Sequence, residues 1–333
     1  MTEQHVVARR DGRIGSILIN RPPVLNALDL PMIRAITAAL AAWRDDPHVH
    51  AVVIEGAGDR AFSAGGDIRA IREDVLAGTI DAVEAFFSEE YALDAMIAEY
   101  PKPCVALIDG ICMGGGIGVS VHGPYRVATE GALFAMPETA IAMFPDIGAT
   151  YVLPRLPGAL GMYLGLTGTR LGAADAVYAG IATHFVPRAS LAALRADLAH
   201  DGVAVLGPRA APLPPFSLAP HREAIDRCFG APTVAEILRA LETDGDWGRE
   251  ALRRLRSASP AAVLWSHGII RAGADRTLRE CLAAELRLTR YVTRHPDFAE
   301  GVRAMLVDKD RHPKWADARI EDVDRAKIAA MLV

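Results

Sequence analysis

The sequence predicts an α/β protein in which a sheet with crossover helices precedes a mainly helical region. Three short apolar runs, at residues 16–19, 51–54 and 105–108, have the length and the β-branched content of buried strands. Between the first two, residues 30–43 place apolar side chains at three- and four-residue steps, which is typical of an amphipathic helix. Pro47 follows and cannot extend that helix. Together these elements predict an α/β layer whose strands are joined by crossover connections.

A proline-rich segment at residues 207–215 divides the chain. Its four prolines argue against a regular helix or an interior strand, so we predict a boundary loop there. Beyond the loop, the apolar spacing predicts helices at residues 233–241, 249–256, 278–293 and 298–306. We therefore predict an α/β core at residues 1–205 and a helical region at residues 206–333.

The composition is that of a globular protein without a nucleic-acid-binding surface. The 333-residue chain is 51% hydrophobic, 23% charged and 6% aromatic, with a formal net charge of -5. An acidic chain with few aromatic side chains lacks the positive potential and the stacking surfaces that nucleic acids need. No apolar run reaches the length of a bilayer span, the histidines show no metal-ligand spacing, and the N-terminus has no signal pattern. We therefore expect no nucleic-acid or membrane partner, no metal ion, and a cytoplasmic location with buried, reduced cysteines.

Two glycine-containing turns are the first candidates for a functional site. Three consecutive glycines, residues 114–116, follow the last predicted strand and open a predicted helix. The first N–H groups of a helix have no internal partner and carry the positive end of its dipole, so this turn could bind an anion or could simply allow tight packing. A second turn, at residues 63–68, begins a helix near Asp67. Two backbone donors that converge on one point would form an oxyanion hole.

Two carboxylates, Glu138 and Asp146, lie in the otherwise apolar segment at residues 135–148. On one continuous helix they would lie about 12 Å apart along the axis. Pro145 breaks such a helix and lets the chain bring both acids to one cavity. Burial in apolar surroundings raises the pKa of a carboxylic acid, which suits a general acid or base. The alternative is that each acid caps or pairs locally.

These segments together resemble the crotonase (enoyl-CoA hydratase/isomerase) superfamily, whose members bind acyl-CoA thioesters. The resemblance implies a spiral of ββα units, with CoA and the active site in residues 1–205 and a C-terminal helical region that covers the site or mediates assembly into a homo-oligomer. It assigns the two oxyanion-hole amides to Gly66 and Gly115, and it implies no cofactor because CoA is part of the substrate. The further substrate-binding residues that it implies are Leu25, Ala64, Asp67, Ile68, Arg69, Glu90 and Gly114.

One position distinguishes two branches of the superfamily. The hydratases carry one glutamate just after the glycine cluster and a second at the position of Glu138, whereas this chain has Gly118 at the first of these. Gly118 can neither give nor take a proton, so hydration by two carboxylates is disfavoured. The chain is instead similar to the members that hydrolyse 3-hydroxyisobutyryl-CoA, in residues 87–91, 113–123, 135–141, 144–146, 180–186 and 301–310.

The resemblance therefore implies hydrolysis of a short 3-hydroxyacyl-CoA thioester, with 3-hydroxyisobutyryl-CoA of valine breakdown as the expected substrate. Glu138 would activate water or attack the thioester directly, Asp146 would orient the water or the 3-hydroxyl, and Glu90 would lie at the substrate pocket. Three alternatives stay open at this point: a hydratase or isomerase that uses Glu138 alone, a non-catalytic acyl-CoA-binding protein, and a Rossmann-like dehydrogenase. The last of these lacks the third glycine of the dinucleotide fingerprint.

Overall fold

The computed structural model describes residues 4–332 and confirms the predicted α/β class. The strands are β1 (Val6–Asp11), β2 (Ile14–Ile19), β3 (Ala51–Gly56), β4 (Ala61–Ser63), β5 (Cys104–Ile108), β6 (Ile111–Met113), β7 (Tyr125–Ala128), β8 (Leu133–Ala135), β9 (Leu171–Gly172) and β10 (His184–Phe185). A six-stranded sheet has the order β1-β2-β3-β5-β7-β10, and a four-stranded sheet has the order β4-β6-β8-β9. In the larger sheet β1 is antiparallel to β2, and the other neighbouring pairs are parallel.

The helices connect these strands and then continue to the C-terminal end of the chain. They are α1 (Leu30–Trp43), α2 (Ile68–Ala77), α3 (Ile80–Ala98), α4 (Gly115–Val121), α5 (Ala149–Val152), α6 (Leu160–Thr167), α7 (Ala173–Ala179), α8 (Leu191–Asp201), α9 (Leu206–Arg209), α10 (Arg222–Phe229), α11 (Val234–Glu242), α12 (Gly245–Ser257), α13 (Pro260–Ala272), α14 (Leu278–Val292), α15 (Pro296–Val302) and α16 (Arg325–Met331). Within residues 4–332, none of them is both long enough and apolar enough to cross a membrane.

The helix predictions are confirmed closely where a cap fixes the end of the helix. α1 has the predicted bounds, because Asp29 caps its N-terminus by accepting the N–H of Met32 at 2.9 Å. α14 begins at the predicted residue, where Thr277 and Glu280 form a reciprocal capping box. The last predicted helix is divided into α15 and a π-helical turn, Arg303–Val307.

The loop formed by the proline-rich segment begins later than predicted. We predicted a loop at residues 207–215, but α9 forms one helical turn that includes Gly207 and Pro208. The first turn of a helix tolerates proline, because its N–H groups have no internal acceptor. The loop therefore begins at residue 210.

The larger sheet is buried by helices, as expected for parallel strands. The three runs that the sequence predicts as strands form its centre, as β2, β3 and β5. On one face, Val53 and Val105 form a core with Leu194 and Leu198 of α8. The four cysteines are buried free thiols, as predicted.

The chain forms two compact units, each made of three separate stretches. The first contains residues up to Gly66, residues 89–134 and residues 171–216, and it holds both sheets apart from the last residue of β8. The second contains residues 67–88, 135–170 and those from Ser217 onward, and it is mainly helical. The division into residues 1–205 and 206–333 stays a prediction.

Candidate active site

Two loops that follow neighbouring parallel strands bring the glycine-containing turns together. β4 pairs in parallel with β6, with Ala61 opposite Ile111 and a register shift before Ser63. Parallel strands end at the same edge of a sheet, so the turn after β4 and the turn that leads into α4 lie side by side. The turn before α4 belongs to the first unit, and so does the turn after β4 as far as Gly66.

The backbone of both turns takes conformations that favour glycine. Gly114 has φ 48° and ψ -126° and precedes α4, while Gly65 has φ 98°. A side chain at either position would be strained. Gly115 is the first residue of α4, so its N–H has no acceptor within that helix.

Gly66, Gly115 and Glu90 are close neighbours in the first unit. A Cβ atom built on Gly115 would lie 3.2 Å from the amide nitrogen of Gly66 and would collide with Oε1 of Glu90. Glu90 belongs to α3, and only 2% of its surface is exposed. A buried carboxyl group thus lies beside the first residue of α4, close to the amide nitrogen of Gly66.

Asn26 and Ser63 hold the turn after β4 in place, which the sequence analysis did not predict. The side-chain amide of Asn26 donates to the carbonyl oxygens of Ala57 at 2.9 Å and Ala61 at 2.8 Å. The hydroxyl of Ser63 donates to the carbonyl oxygen of Asn26 at 2.9 Å and accepts from the N–H of Gly65 at 3.2 Å. Because Asn26 and Ser63 are 37 positions apart, no local sequence pattern marks their bond.

Replacing Ser63 by alanine is expected to lower the free energy of unfolding by roughly 1–3 kcal/mol, because the buried N–H of Gly65 loses its acceptor. Urea denaturation measures the change. Ser88→Ala is the matched control, since the hydroxyl of Ser88 bonds only to a carbonyl oxygen one turn earlier in α3. An equal loss of stability in both variants would contradict the role of Ser63.

The other predicted substrate-binding residues lie on both units. In the first unit, Leu25 has φ 57°, and its carbonyl oxygen accepts from the N–H of Ala64 at 2.9 Å. This bond joins Leu25 to the turn after β4. In the second unit, Asp67 caps α2, Ile68 opens this helix, and the Arg69 side chain is exposed.

Glu138 and Asp146 belong to the second unit, and both are buried, with 7% and 5% of their surfaces exposed. Glu138 is the first residue of a 3₁₀ turn, Glu138–Ile141. The chain then has no regular structure until α5, so the two acids do not share one continuous helix, as predicted. The predicted cause is wrong, however: the turn ends where Ala142 takes φ 55°, three residues before Pro145.

Helices from the C-terminal part of the chain hold the segment that follows Glu138. Trp265 of α13 is fully buried and donates from Nε1 to the carbonyl oxygen of Met143 at 3.1 Å. Gly301 of α15 lies against Ile141, where a Cβ atom would come within 2.7 Å of the carbonyl carbon. The position of this segment therefore depends on residues 122 or more positions away.

Another buried carboxyl group, that of Glu285 in α14, contacts the segment after Asp146. It accepts from the N–H of Gly148 at 2.7 Å and from the N–H of Thr150 at 3.1 Å. Burial raises the pKa of Glu285 to about 8 against the opposing effect of these hydrogen bonds, and the negative charge of Asp146 adds to the rise. Glu285 is not among the predicted site residues, because the apolar pattern of its helix gives no sign of a partner 137 positions away.

The comparison with known protein families identifies the fold family of the chain. Residues 14–332 match the family model described as enoyl-CoA hydratase/isomerase. The chain belongs to the enoyl-CoA hydratase/isomerase family. A solved structure of another protein of this kind, described as an enoyl-CoA hydratase from Rhodobacter sphaeroides 2.4.1, superposes with a TM-score of 0.94 and is 40% identical, covering 99% of this chain and 97% of that one. The predicted crotonase-type fold is thereby confirmed.

Curated relatives of this enoyl-CoA hydratase/isomerase family member are named as hydrolases. The mitochondrial 3-hydroxyisobutyryl-CoA hydrolase of Xenopus tropicalis is 46% identical over 325 residues, which cover 94% of this chain and 84% of that protein. The human enzyme of the same name is 44% identical over 337 residues, which cover 96% and 86%. Both names place those enzymes in mitochondria, which contradicts the cytoplasmic location that the sequence led us to expect.

Proposed function

We propose that this enzyme hydrolyses the thioester bond of a short 3-hydroxyacyl-CoA, with 3-hydroxyisobutyryl-CoA of valine breakdown as its substrate. The observation that carries the proposal is that relatives 42–46% identical over nearly the whole chain are 3-hydroxyisobutyryl-CoA hydrolases. The buried acids and the neighbouring amides described above supply the groups that thioester hydrolysis needs. The products are 3-hydroxyisobutyrate and CoA, and water is the second reactant, so the reaction needs no cofactor.

In this mechanism the N–H groups of Gly66 and Gly115 hold the thioester carbonyl oxygen. When the oxygen nucleophile adds to the carbonyl carbon, the carbonyl oxygen takes up negative charge, and two fixed donors stabilise that charge more than they stabilise the ground state. The close approach of Gly66 N and Gly115 supports the assignment. Glu90, which lies beside Gly115, hydrogen-bonds the 3-hydroxyl of the substrate or holds the site closed.

Glu138 delivers the oxygen by one of two routes. As a general base it takes a proton from water while the water oxygen bonds to the carbonyl carbon, after which the C–S bond breaks and the CoA sulfur takes a proton. As a nucleophile it forms an acyl anhydride and releases CoA first, and water then hydrolyses the anhydride. Asp146 orients the water or the 3-hydroxyl in either route, and its burial beside an apolar segment supports this role.

A hydratase or isomerase is the second candidate, because the 40% identical Rhodobacter sphaeroides structure is described as an enoyl-CoA hydratase. Against it, Gly118 in α4 stands where the hydratases carry their first glutamate. A glycine has no side chain that could move a proton to the acyl chain. Hydration would therefore depend on Glu138 alone.

Parallel incubations with 3-hydroxyisobutyryl-CoA and with crotonyl-CoA distinguish these candidates. A thiol reagent measures released CoA, and ultraviolet absorbance measures the enoyl group. We expect thiol release from 3-hydroxyisobutyryl-CoA and unchanged absorbance with crotonyl-CoA. Loss of enoyl absorbance together with an absence of thiol release would contradict the proposal. A panel of short 3-hydroxyacyl-CoA thioesters then defines the acyl group.

The remaining site assignments are part of the same proposal. Leu25, Ala64, Asp67, Ile68 and Gly114 line the acyl-CoA site, and Arg69, which is exposed, contacts a CoA phosphate. The helical region after residue 205 covers the site or mediates assembly into a homo-oligomer. Size-exclusion chromatography with light scattering measures the oligomeric state.

A further inference from the structure

Glu285 lies within α14 and is fully buried. Its Oε2 atom accepts from the N–H of Gly148 at 2.7 Å. Its Oε1 atom accepts from the N–H of Thr150 at 3.1 Å and from the hydroxyl of Thr150 at 2.5 Å. A carboxyl group removed from water needs such donors, and all three come from the turn that follows Asp146.

That turn depends on contacts from elsewhere in the second unit. Ile147 has φ 57° and Gly148 has φ 76°, and the left-handed region is costly for a β-branched residue. α5, which begins at Ala149, has only four residues and is too short to be stable alone. The three hydrogen bonds to Glu285 therefore hold the turn in its observed conformation.

We propose that Glu285 is a positioning residue for the thioester hydrolysis, fixing the turn after Asp146 and hence the direction of the Asp146 carboxylate. The inference rests on the proposed function, in which Asp146 orients the water or the 3-hydroxyl. The carbonyl oxygen of Asp146 accepts from the N–H of Ala149 at 2.8 Å, so Asp146 belongs to the same hydrogen-bonded turn. A misplacement of about 1 Å in such a group can cost about 100-fold in rate.

The charge of Glu285 adds a pH dependence to this role. Burial holds the pKa of Glu285 at about 8, so the carboxyl group is mainly protonated at neutral pH and does not oppose the charge of Asp146. Above pH 8 it ionises and repels Asp146. Cys281, one turn earlier on α14, also faces Glu285, and Arg155 and Arg276 act on that thiol.

Glu285→Gln tests the proposal with a side chain of the same shape. One of the two terminal atoms becomes an NH₂ group, which cannot accept, so the bond to Gly148 or to Thr150 is lost. With 3-hydroxyisobutyryl-CoA we expect kcat to fall about 10- to 100-fold with little change in KM. We also expect the decline of kcat above pH 8 to disappear.

Glu280→Gln is the matched control on the same helix. Glu280 is exposed and bonds to Thr277 in the capping box, so its loss weakens α14 without touching the turn after Asp146. We expect wild-type kcat and a wild-type pH profile. An equal loss of kcat in both variants, or wild-type kcat in Glu285→Gln, would overturn the proposal.

Thr150→Val provides a second test of the proposal if Glu285→Gln does not fold. This variant keeps both amide bonds to Glu285 but removes the hydroxyl bond, which favours the ionised carboxylate. The alkaline decline of kcat is therefore expected to move to higher pH. An unchanged pH profile would overturn the proposed role of Glu285.

Two measurements do not require activity and separate this inference from the proposed function. The folded-state pKa of Glu285 lies above its usual value of 4.5, so folding takes up a proton, and the unfolding free energy should fall as the pH rises from 4.5 towards 8. Glu285→Gln should lack this contribution.

In a crystal structure of the variant, the Asp146 carboxylate should be displaced. If wild type releases no thiol the proposed function fails, whereas an undisplaced Asp146 overturns the role of Glu285.

Discussion

Replacing Glu138 by glutamine is expected to abolish the release of CoA from 3-hydroxyisobutyryl-CoA and to leave acyl-CoA binding nearly unchanged. Glutamine has the same shape, but it can neither take a proton from water nor attack the carbonyl carbon. Loss of a positioned general base lowers kcat by about 10²–10⁴-fold, and loss of a nucleophile removes the covalent route altogether. Thiol release measures kcat, and equilibrium binding of a non-hydrolysable acyl-CoA ether measures Kd.

Glu223→Gln is the control for this variant, because Glu223 is an exposed glutamate of α10 in the same unit. It should retain wild-type activity. Full activity of Glu138→Gln would exclude Glu138 from the chemistry. In the wild-type enzyme, a burst of thiol ahead of the carboxylic acid would indicate direct attack by Glu138, and simultaneous release of both products would favour the general base.

Replacing Gly115 by alanine is expected to lower kcat/KM by about 10²–10³-fold, as does the loss of one oxyanion-hole donor. The new Cβ atom would lie 3.2 Å from Gly66 N, where we place the thioester oxygen, and would collide with the buried carboxyl group of Glu90. Alanine has a higher helix propensity than glycine, so α4 itself should tolerate the change. Thiol release at subsaturating substrate measures the effect.

Two further variants show whether this loss comes from the amide pair. Gly172→Ala is the matched control, because a Cβ atom there meets nothing within 4 Å, and it should have wild-type kcat/KM. In the double variant Glu90→Ala/Gly115→Ala the collision with the carboxyl group is relieved, but the space between the amides stays filled. A double variant as active as Glu90→Ala alone would contradict the assignment of the oxyanion hole, because the added Cβ atom would then cost nothing once the collision is relieved.

Local sequence patterns predict the helices and strands whose formation depends on residues nearby in the sequence. The apolar periodicity of α1 and its Asp29 cap define that helix, and the short apolar run at β5 defines a buried strand. The glycine turns could be predicted as neighbours, because glycines that follow successive strands point to backbone groups at one sheet edge. The same pattern predicted a possible oxyanion hole, whereas the assignment of its amides to Gly66 and Gly115 and the thioester substrate came from the family resemblance.

Long-range contacts account for what the sequence could not predict. Glu285 and Gly148 are 137 positions apart, and Trp265 and Met143 are 122 positions apart. Each of these hydrogen bonds forms only when segments far apart in the sequence pack together. Neither hydrophobic periodicity nor motif spacing therefore predicts it. The left-handed Ala142 shows the same limit, since alanine favours the right-handed helix locally and is held in its conformation by the surrounding structure.

A crystal structure of the Glu138→Gln variant with bound 3-hydroxyisobutyryl-CoA tests the central claim most directly. The distances to measure run from the thioester oxygen to the amide nitrogens of Gly66 and Gly115, and from the carbonyl carbon to the side chain at position 138. We predict the oxygen within about 3.1 Å of both nitrogens. We also predict that the side chain at 138 reaches the carbonyl carbon directly or through one water, within about 6 Å. A thioester oxygen that contacts neither amide, or a more distant side chain at 138, would contradict the mechanism.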